Sequence, residues 1–169
     1  SKSLGNVVDP FDLAETFGVD AVRYFCLREA PFGGDGNYDH AAIITRINAD
    51  LANDLGNLAQ RSLSMVAKNC DGAVPEPGAL AEADRAMLAQ ADALADRARG
   101  LMKDLALHTI LAEIWAVVAE ANRYFAGQEP WKLRKSDPAR MNGVLYTTLE
   151  TLREVGILVQ PFVPEAASR

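Results

Sequence analysis

The sequence is poor in the residues that build redox and metal centres. Its 169 residues contain two cysteines, Cys26 and Cys70, and two histidines, His40 and His108. Two separate thiols with no histidine at ligand spacing do not make a zinc site, so we predict no metal site. Reduced cysteines are favoured over a disulfide. Both histidines are interpreted as structural residues.

The chain also lacks long apolar stretches and a signal-peptide pattern. No run of about eighteen apolar residues is present, so neither a membrane span nor a membrane partner is predicted. Together with the reduced cysteines, this favours the cytoplasm. The composition, 49% hydrophobic and 24% charged, is that of a globular protein with one core, or with a core and a small subdomain.

Positive charge is in deficit, because the net charge is −6. This balance argues only weakly against a nucleic-acid-binding protein, since binding depends on local patches. One segment, residues 123–140, is basic, and it is either a phosphate-facing patch or a solvated helix end. Its charged residues are Arg123, Lys132, Arg134, Lys135 and Arg140 against Glu129 and Asp137.

Strand patterns are not convincing anywhere, and capping residues predict an all-α fold. Helices are expected over about 10–17, 21–29, 39–69, 80–102, 106–126 and 138–158. Asp9-Pro10 and Asp137-Pro138 are start signals, Asp20 is expected to cap the second helix, and residues 128–131 are expected to form a connector. Short loops between helices indicate a helical bundle. A small helical segment, residues 1–38, precedes the bundle of residues 39–169.

The longest predicted helix has an apolar and a polar face. Asn53, Asn57 and Arg61 recur every four residues and therefore share the polar face, with Lys68 beyond them. Amides and a guanidinium can bind the edges of unpaired bases, although the spacing alone is more typical of an ordinary solvated face. The apolar stripe is predicted to comprise Ile44, Ile47, Leu51, Leu55, Leu58 and Met65.

Two tryptophans are expected to have different roles. Trp131 follows Pro130 in the predicted connector, where it either fills the end of the bundle or offers a flat face to a base. Trp115 lies within a helix among apolar residues and is predicted to belong to the core.

The first six residues, Ser-Lys-Ser-Leu-Gly-Asn, form a polar segment with one lysine, Lys2. A lysine on a glycine-containing loop can reach phosphate oxygens and neutralise the charge that develops on them. The string Ser-Lys-Ser alone is typical of an exposed terminus. It continues, however, through Asp9-Pro10 into Asp-Ala-Val-Arg-Tyr-Phe at residues 20–25, which makes the pattern far more specific.

These strings resemble the class I aminoacyl-tRNA synthetases, and two further ones resemble the methionyl-tRNA synthetases in particular. The two are Leu-Arg-Glu-Ala-Pro-Phe-Gly-Gly-Asp-Gly at residues 27–36 and Ala-Asn-Arg-Tyr-Phe at 121–125, which leads to Gln-Glu-Pro-Trp at 128–131. The resemblance covers nearly the whole chain. It implies a signature loop and stem-contact region up to residue 38 and a helical anticodon-binding domain from residue 39. It also implies a fragment that is not catalytic alone, because the Rossmann catalytic domain of the same chain is missing.

The resemblance assigns roles to particular residues. Lys2, with Ser1 and Ser3, would contact ATP (with Mg²⁺) in the full-length enzyme, and Lys2 would stabilise the phosphate charge during methionine activation. The fragment itself is not expected to bind a cofactor. The partner would be methionine-specific tRNA, with Trp131 stacked on the cytosine of a CAU anticodon. The implied anticodon-binding residues are Asn57, Arg61, Trp131, Asn53 and Pro130.

Two alternatives remain open at the level of sequence. One is the corresponding part of a synthetase for leucine, isoleucine or valine, which shares the opening string but fits the loop at residues 33–36 and the string at 128–131 poorly. The other is a helical protein-interaction module without an RNA partner. The second alternative explains the acidic charge and the amphipathic helices, but not the opening string.

Overall fold

The computed structural model describes residues 9–34 and 39–168, and within these ranges every regular element is helical. The prediction of an all-α bundle is confirmed. No helix in these ranges is long and apolar enough to cross a bilayer. The helices are α1 (Pro10–Phe17), α2 (Val19–Glu29), α3 (His40–Arg46), a π-helical segment (Ile47–Gly56), α4 (Asn57–Asn69), α5 (Glu82–Met102), α6 (Leu107–Gln128), α7 (Pro130–Ser136), α8 (Pro138–Val159) and α9 (Pro164–Ala167).

Start signals in the sequence explain where several helices begin. The Asp9 side chain accepts a hydrogen bond from the Phe11 N–H at 2.8 Å, and the Asp137 side chain accepts one from the Arg140 N–H at 3.0 Å. In both cases a proline occupies the first turn, where it costs no intrahelical hydrogen bond. Both predicted cap-plus-proline starts are therefore confirmed.

Residues 40–69 form one continuous helical rod in which α3, the π-helical segment and α4 follow each other without a break. The backbone is right-handed helical at both junctions. Within the π-helical segment the hydrogen bonds reach one residue further back than in an α-helix, as when the Asn57 N–H donates to the Ala52 carbonyl. At Gly56 the chain approaches itself closely, because a Cβ there would lie 2.9 Å from the Leu51 carbonyl oxygen.

Three predictions about local structure were wrong. Ile44 was expected in the apolar stripe of the rod but is 47% exposed, and its neighbour Ile43 is buried instead. Asp20 does not cap α2, which already begins at Val19; its carboxylate accepts a hydrogen bond from the Ala166 N–H at 2.7 Å. The expected connector at residues 128–131 is shorter than predicted, because Pro130 begins α7.

The main core lies between α5, α6 and α8, with α4 packed against α8. Its fully buried side chains include Leu58 on the rod and Ile114 and Phe125 on α6. The small segment before the rod is joined to this core through Tyr24, whose ring lies 4.7 Å from that of Trp115. Trp115 is buried, which confirms its predicted core position. A second cluster of Leu13, Phe25 and Ile43 holds α1, α2 and α3 together.

Candidate nucleic-acid interface

An open cleft of about 310 Å³ lies where the α4 part of the rod meets the end of α6 and the start of α7. It brings together Arg61 and Trp131, two of the predicted site residues, which are 70 positions apart in the chain. Its wall is polar on the rod side and aromatic on the α6–α7 side. The lining residues are Gln60, Arg61, Ser64, Met65, Lys68, Phe125 and Trp131.

The Arg61 guanidinium lies against two aromatic rings. Its central carbon is 5.1 Å from the centroid of Phe125 and 5.6 Å from that of Trp131. The two rings are themselves 6.0 Å apart and tilted by 55°. A guanidinium over ring faces is attracted by the ring quadrupole and keeps its N–H edge for another partner. The contacts with the two rings therefore hold the plane of the Arg61 guanidinium in place and leave its N–H groups available as hydrogen-bond donors.

The Trp131 ring is presented at the mouth of the cleft by an unusual turn. Glu129 between α6 and α7 has a φ of +47°, a left-handed conformation that is uncommon outside glycine. Pro130 follows as the first residue of α7 and is buried, so it orients the turn without offering a surface of its own. The Trp131 side chain, by contrast, is 43% exposed. A large part of the indole is therefore accessible to a ligand.

Asn57 and Asn53 lie along the rod before Arg61, and both are exposed. Asn57 is the first residue of α4, so the four-residue step to Arg61 places the two side chains on one face. Asn53 lies in the π-helical segment, where a turn contains more residues, so the same step does not carry the α-helical alignment back to Asn53. Neither asparagine lines the cleft itself.

The basic segment of residues 123–140 does not form one continuous patch. Arg123 pairs with Glu120, and Lys132 pairs with Glu129 at 2.8 Å. Arg140 is directed inward to the buried carboxylate of Asp84. The exposed cations Arg134 and Lys135 on α7 remain close to Trp131 in sequence. The local positive charge near the cleft is consequently smaller than the sequence suggested.

Asp84 is the acceptor of a buried polar cluster at the start of α5. Its carboxylate is fully buried and accepts hydrogen bonds from both terminal nitrogens of Arg140, from the Tyr124 hydroxyl and from the Ala81 N–H. Burial opposes ionisation, but these donors together hold the pKa of Asp84 below its usual value. Burial, and then the hydrogen bond to Asp84, raise the pKa of Tyr124.

Three predicted site residues, Ser1, Lys2 and Ser3, lie outside the described residues. Phe125, Ser64 and Gln60 line the cleft but were not predicted as site residues. Phe125 is the last residue of the string at 121–125 that leads to Trp131, and its ring is buried behind Arg61. Only the meeting of α4 with α6 reveals that contact. In the described ranges no cluster of three potential metal ligands occurs.

Comparisons with known proteins show the family of the chain. A sequence profile described as the anticodon binding domain of methionyl tRNA ligase matches residues 74–169, which is more than half of the chain. The chain belongs to this methionyl-tRNA ligase family. A second profile, for class I tRNA synthetases (M), matches residues 1–63. These profiles favour the methionyl family over the leucine, isoleucine and valine enzymes.

Relatives within the methionyl-tRNA ligase family are similar along the entire chain. The methionine–tRNA ligase of Brucella suis is 68% identical over 169 residues, and that of Mycobacterium tuberculosis is 58% identical over 173 aligned positions. The crystal structure of the Mycobacterium tuberculosis methionyl-tRNA synthetase bound by methionyl-adenylate matches with a TM-score of 0.96 at 57% identity, over 99% of this chain and 34% of that one. The chain spans about one third (33%) of the length of these curated relatives.

Proposed function

We propose that this chain binds the anticodon loop of methionine tRNA as part of a methionine–tRNA ligase. In that enzyme the methionine carboxylate would attack the α-phosphate of ATP, supplied with Mg²⁺, and release pyrophosphate. The methionyl-adenylate would then esterify the terminal adenosine of the tRNA in the cytoplasm and release AMP. Lys2, with Ser1 and Ser3, would contact the phosphates and stabilise their developing charge. The catalytic Rossmann domain would be supplied by the remainder of the same enzyme.

The observation that carries the proposal is the stack of Arg61 against Phe125 and Trp131 at the mouth of the cleft. An exposed indole next to a fixed guanidinium offers a base both a face to stack on and a donor edge. Unpaired bases in a loop expose the faces that stack on an indole and the edges that accept hydrogen bonds from a guanidinium. Bases in a duplex do not. Asn57 would add an amide on the same face of the rod, and Asn53 would extend the contact toward the preceding turn.

We assign different roles to Pro130 and Trp131, the two residues that follow Glu129 in the turn between α6 and α7. Trp131 would stack on the cytosine of the CAU anticodon, because its ring is the exposed aromatic surface of the cleft. Pro130 would act by fixing the direction of the chain into α7, since it is buried. Arg123 and Tyr124 would support the turn from the last part of α6.

The test is a titration of the 169-residue chain with two anticodon stem-loops at low salt, one bearing CAU and one bearing GAU. We expect tighter binding of CAU with quenching of tryptophan fluorescence. Trp131→Ala should weaken CAU binding by about 1–3 kcal/mol, the contribution of one base stacked on an aromatic ring. The matched control is Trp115→Phe, which alters the buried tryptophan and should preserve the preference. Equal affinity of the unmodified chain for the two loops would contradict anticodon recognition by this chain.

A second arm uses the full-length enzyme and separates the two proposed activities. Trp131→Ala should slow tRNA aminoacylation while methionine-dependent exchange of pyrophosphate into ATP proceeds at the parent rate, because adenylate formation needs no anticodon. Lys2→Ala should slow the exchange reaction and aminoacylation together, because the adenylate is formed first and is then consumed by the tRNA. Normal aminoacylation by the Trp131→Ala enzyme would contradict the stacking role.

A further inference from the structure

We propose that four side chains, Asp84, Tyr124, Gln128 and Arg140, form a positioning unit that sets the orientation of Trp131 and thereby the discrimination between anticodons. We call these four residues the Asp84 cluster. The orientation part of the inference concerns the protein alone, and the discrimination part rests on the proposed function. None of the four residues lies on the exposed surface of the cleft, so they would act through Trp131.

Arg140 makes a hydrogen bond at each end of the chain segment that carries Trp131. At one end its Nη2 donates to the Gln128 Oε1 at 2.7 Å, and Gln128 is the last residue of α6. At the other end its backbone N–H donates to the Asp137 carboxylate at 3.0 Å, where α7 has ended and α8 begins. One residue therefore ties together the two ends of a segment of about a dozen residues that contains α7.

The cluster is anchored to three helices at the same end of the bundle. Asp84 stands in the first turn of α5, Tyr124 in the last part of α6 and Arg140 in the first turn of α8. The Asp84 carboxylate also accepts the Ala81 N–H at 2.9 Å, which fixes it to the start of α5. Because Arg140 engages Asp84 through both terminal nitrogens, its planar fork has a defined direction as well as a defined position.

The connection from the cluster to the indole is short. Gln128 is followed by Glu129 in its left-handed conformation, then by the buried Pro130 and by Trp131. Neither a proline nor a residue held at φ +47° gives much rotational freedom. A change in the position of Gln128 is therefore transmitted to Trp131 over three residues, and with it the contact between Trp131 and Arg61.

Little space is available for Arg140 to adopt another position. On α8, a Cβ added at Gly143 would lie 3.4 Å from the Arg140 Nη1 and 3.2 Å from the Pro77 carbonyl oxygen. Near Gly143 the Arg140 side chain therefore packs closely against α8 beside the loop before α5, although one fifth of it is exposed. This packing and the two contacts with Asp84 favour one position of the Arg140 side chain.

Gln128 provides the variant that separates positioning from general stability. Gln128→Met removes the acceptor for Arg140 but leaves the buried pair of Asp84 and Arg140 intact. Gln128→Glu keeps an acceptor at the same place and is the conservative rescue variant. Gln160→Met is the matched control, because Gln160 is an exposed glutamine that follows the far end of α8.

The first experiment measures acrylamide quenching of Trp131 in the free chain, in a Trp115→Phe background that leaves one tryptophan. The Trp115 Nε1 has no hydrogen-bond partner among the described residues, so the background substitution removes no such bond. We expect Gln128→Met to change the quenching constant of Trp131, and Gln128→Glu and Gln160→Met to leave it at the parent value. The same quenching constant in Gln128→Met and parent would overturn the proposal.

The second experiment compares binding of the CAU and GAU stem-loops by the same variants, measured with labelled RNA. Gln128→Met should weaken CAU binding by about tenfold, which lies in the lower part of the range for one base stacked on an aromatic ring, and should leave GAU binding unchanged. Gln128→Glu should restore the preference. A changed quenching constant with an unchanged ratio of the two affinities would overturn the link to discrimination.

The two readouts keep this inference distinct from the proposed function. If the parent chain does not prefer CAU, the proposed function fails, whereas the quenching of Trp131 still decides whether the Asp84 cluster sets the turn. Gln128→Met could lower the melting temperature while the quenching constant of Trp131 and the preference for CAU over GAU equal those of the parent. In that case the cluster is merely structural and the proposal is overturned.

Discussion

Removing Arg140 should expose how much the fold depends on compensating the buried Asp84 carboxylate. Asp84 is fully buried, and the Arg140 side chain is 20% exposed. In Arg140→Met the carboxylate keeps, among the residues that the structure describes, only the Tyr124 hydroxyl and the Ala81 N–H as donors. Breaking a buried pair by removing one partner typically lowers the free energy of unfolding by about 3–5 kcal/mol. We expect a loss in this range at pH 7.

The loss should also depend on pH, with a sign that follows from Asp84. In the parent the folded-state pKa of Asp84 is held below its usual value, so its stabilisation is complete above the unfolded-state pKa of about 3.9. That stabilisation disappears as the pH falls through the folded-state pKa. Without Arg140, burial dominates and favours the neutral carboxyl group. The difference between parent and Arg140→Met should therefore shrink toward acidic pH.

Urea unfolding followed by far-ultraviolet circular dichroism measures both effects, at pH 7 and near pH 4. The control is Arg153→Met, because Arg153 forms an exposed pair with Glu150 on the same helix, and its stability should remain close to that of the parent at both pH values. A loss for Arg140→Met no greater than that of the control, or one that is the same at both pH values, would refute the compensation argument.

Three further substitutions test the packing of the rod and of α5. Tyr24→Phe removes the hydroxyl that donates to the buried Asp50 at 2.6 Å, and it should lower the free energy of unfolding by about 1–3 kcal/mol in a urea titration. Gly56→Ala should destabilise the chain, since its Cβ would lie 2.9 Å from the Leu51 carbonyl oxygen, and a melting temperature at or above the parent's would contradict this close approach. Gly100→Ala, at an exposed position of α5 with open space around it, should stabilise the chain by about 0.5–1 kcal/mol, measured by the same melt.

Local signals in the sequence were sufficient to predict most helices. Asp9-Pro10 and Asp137-Pro138 combine a side-chain acceptor with a proline, and both effects act within one turn, so context does not alter them. It was harder to predict which side of the rod is buried. Ile43 and Ile44 are equally apolar, and the docking of α1 and α2 determines which one is buried. The π-helical winding also changes the number of residues in a turn, which no α-helical periodicity could anticipate.

Part of the candidate site could be predicted from the sequence, and part is visible only in the fold. Arg61 and Trp131 were predicted from strings of neighbouring residues, and the structure brings them into one cleft. Their roles in binding stay a prediction, as do those of Asn57 and Asn53. The Asp84 cluster was not foreseen, because an aspartate in a helix rich in alanine and aspartate has no local feature that marks it as buried. Only the convergence of α5, α6 and α8 gives it three donors.

Two buried carboxylates with the same pair of donor types stabilise different parts of the fold. Asp50 accepts from Tyr24 and Arg46 and joins α2 to the rod, while Asp84 accepts from Tyr124 and Arg140. Apolar side chains of similar volume can stabilise a core as well as a buried ion pair does. They do not specify a direction, however, whereas a carboxylate with a tyrosine and an arginine donor does. In the proposed function the orientation of the exposed Trp131 indole matters, and a directional cluster that reaches Gln128, three residues before Trp131, would serve that need.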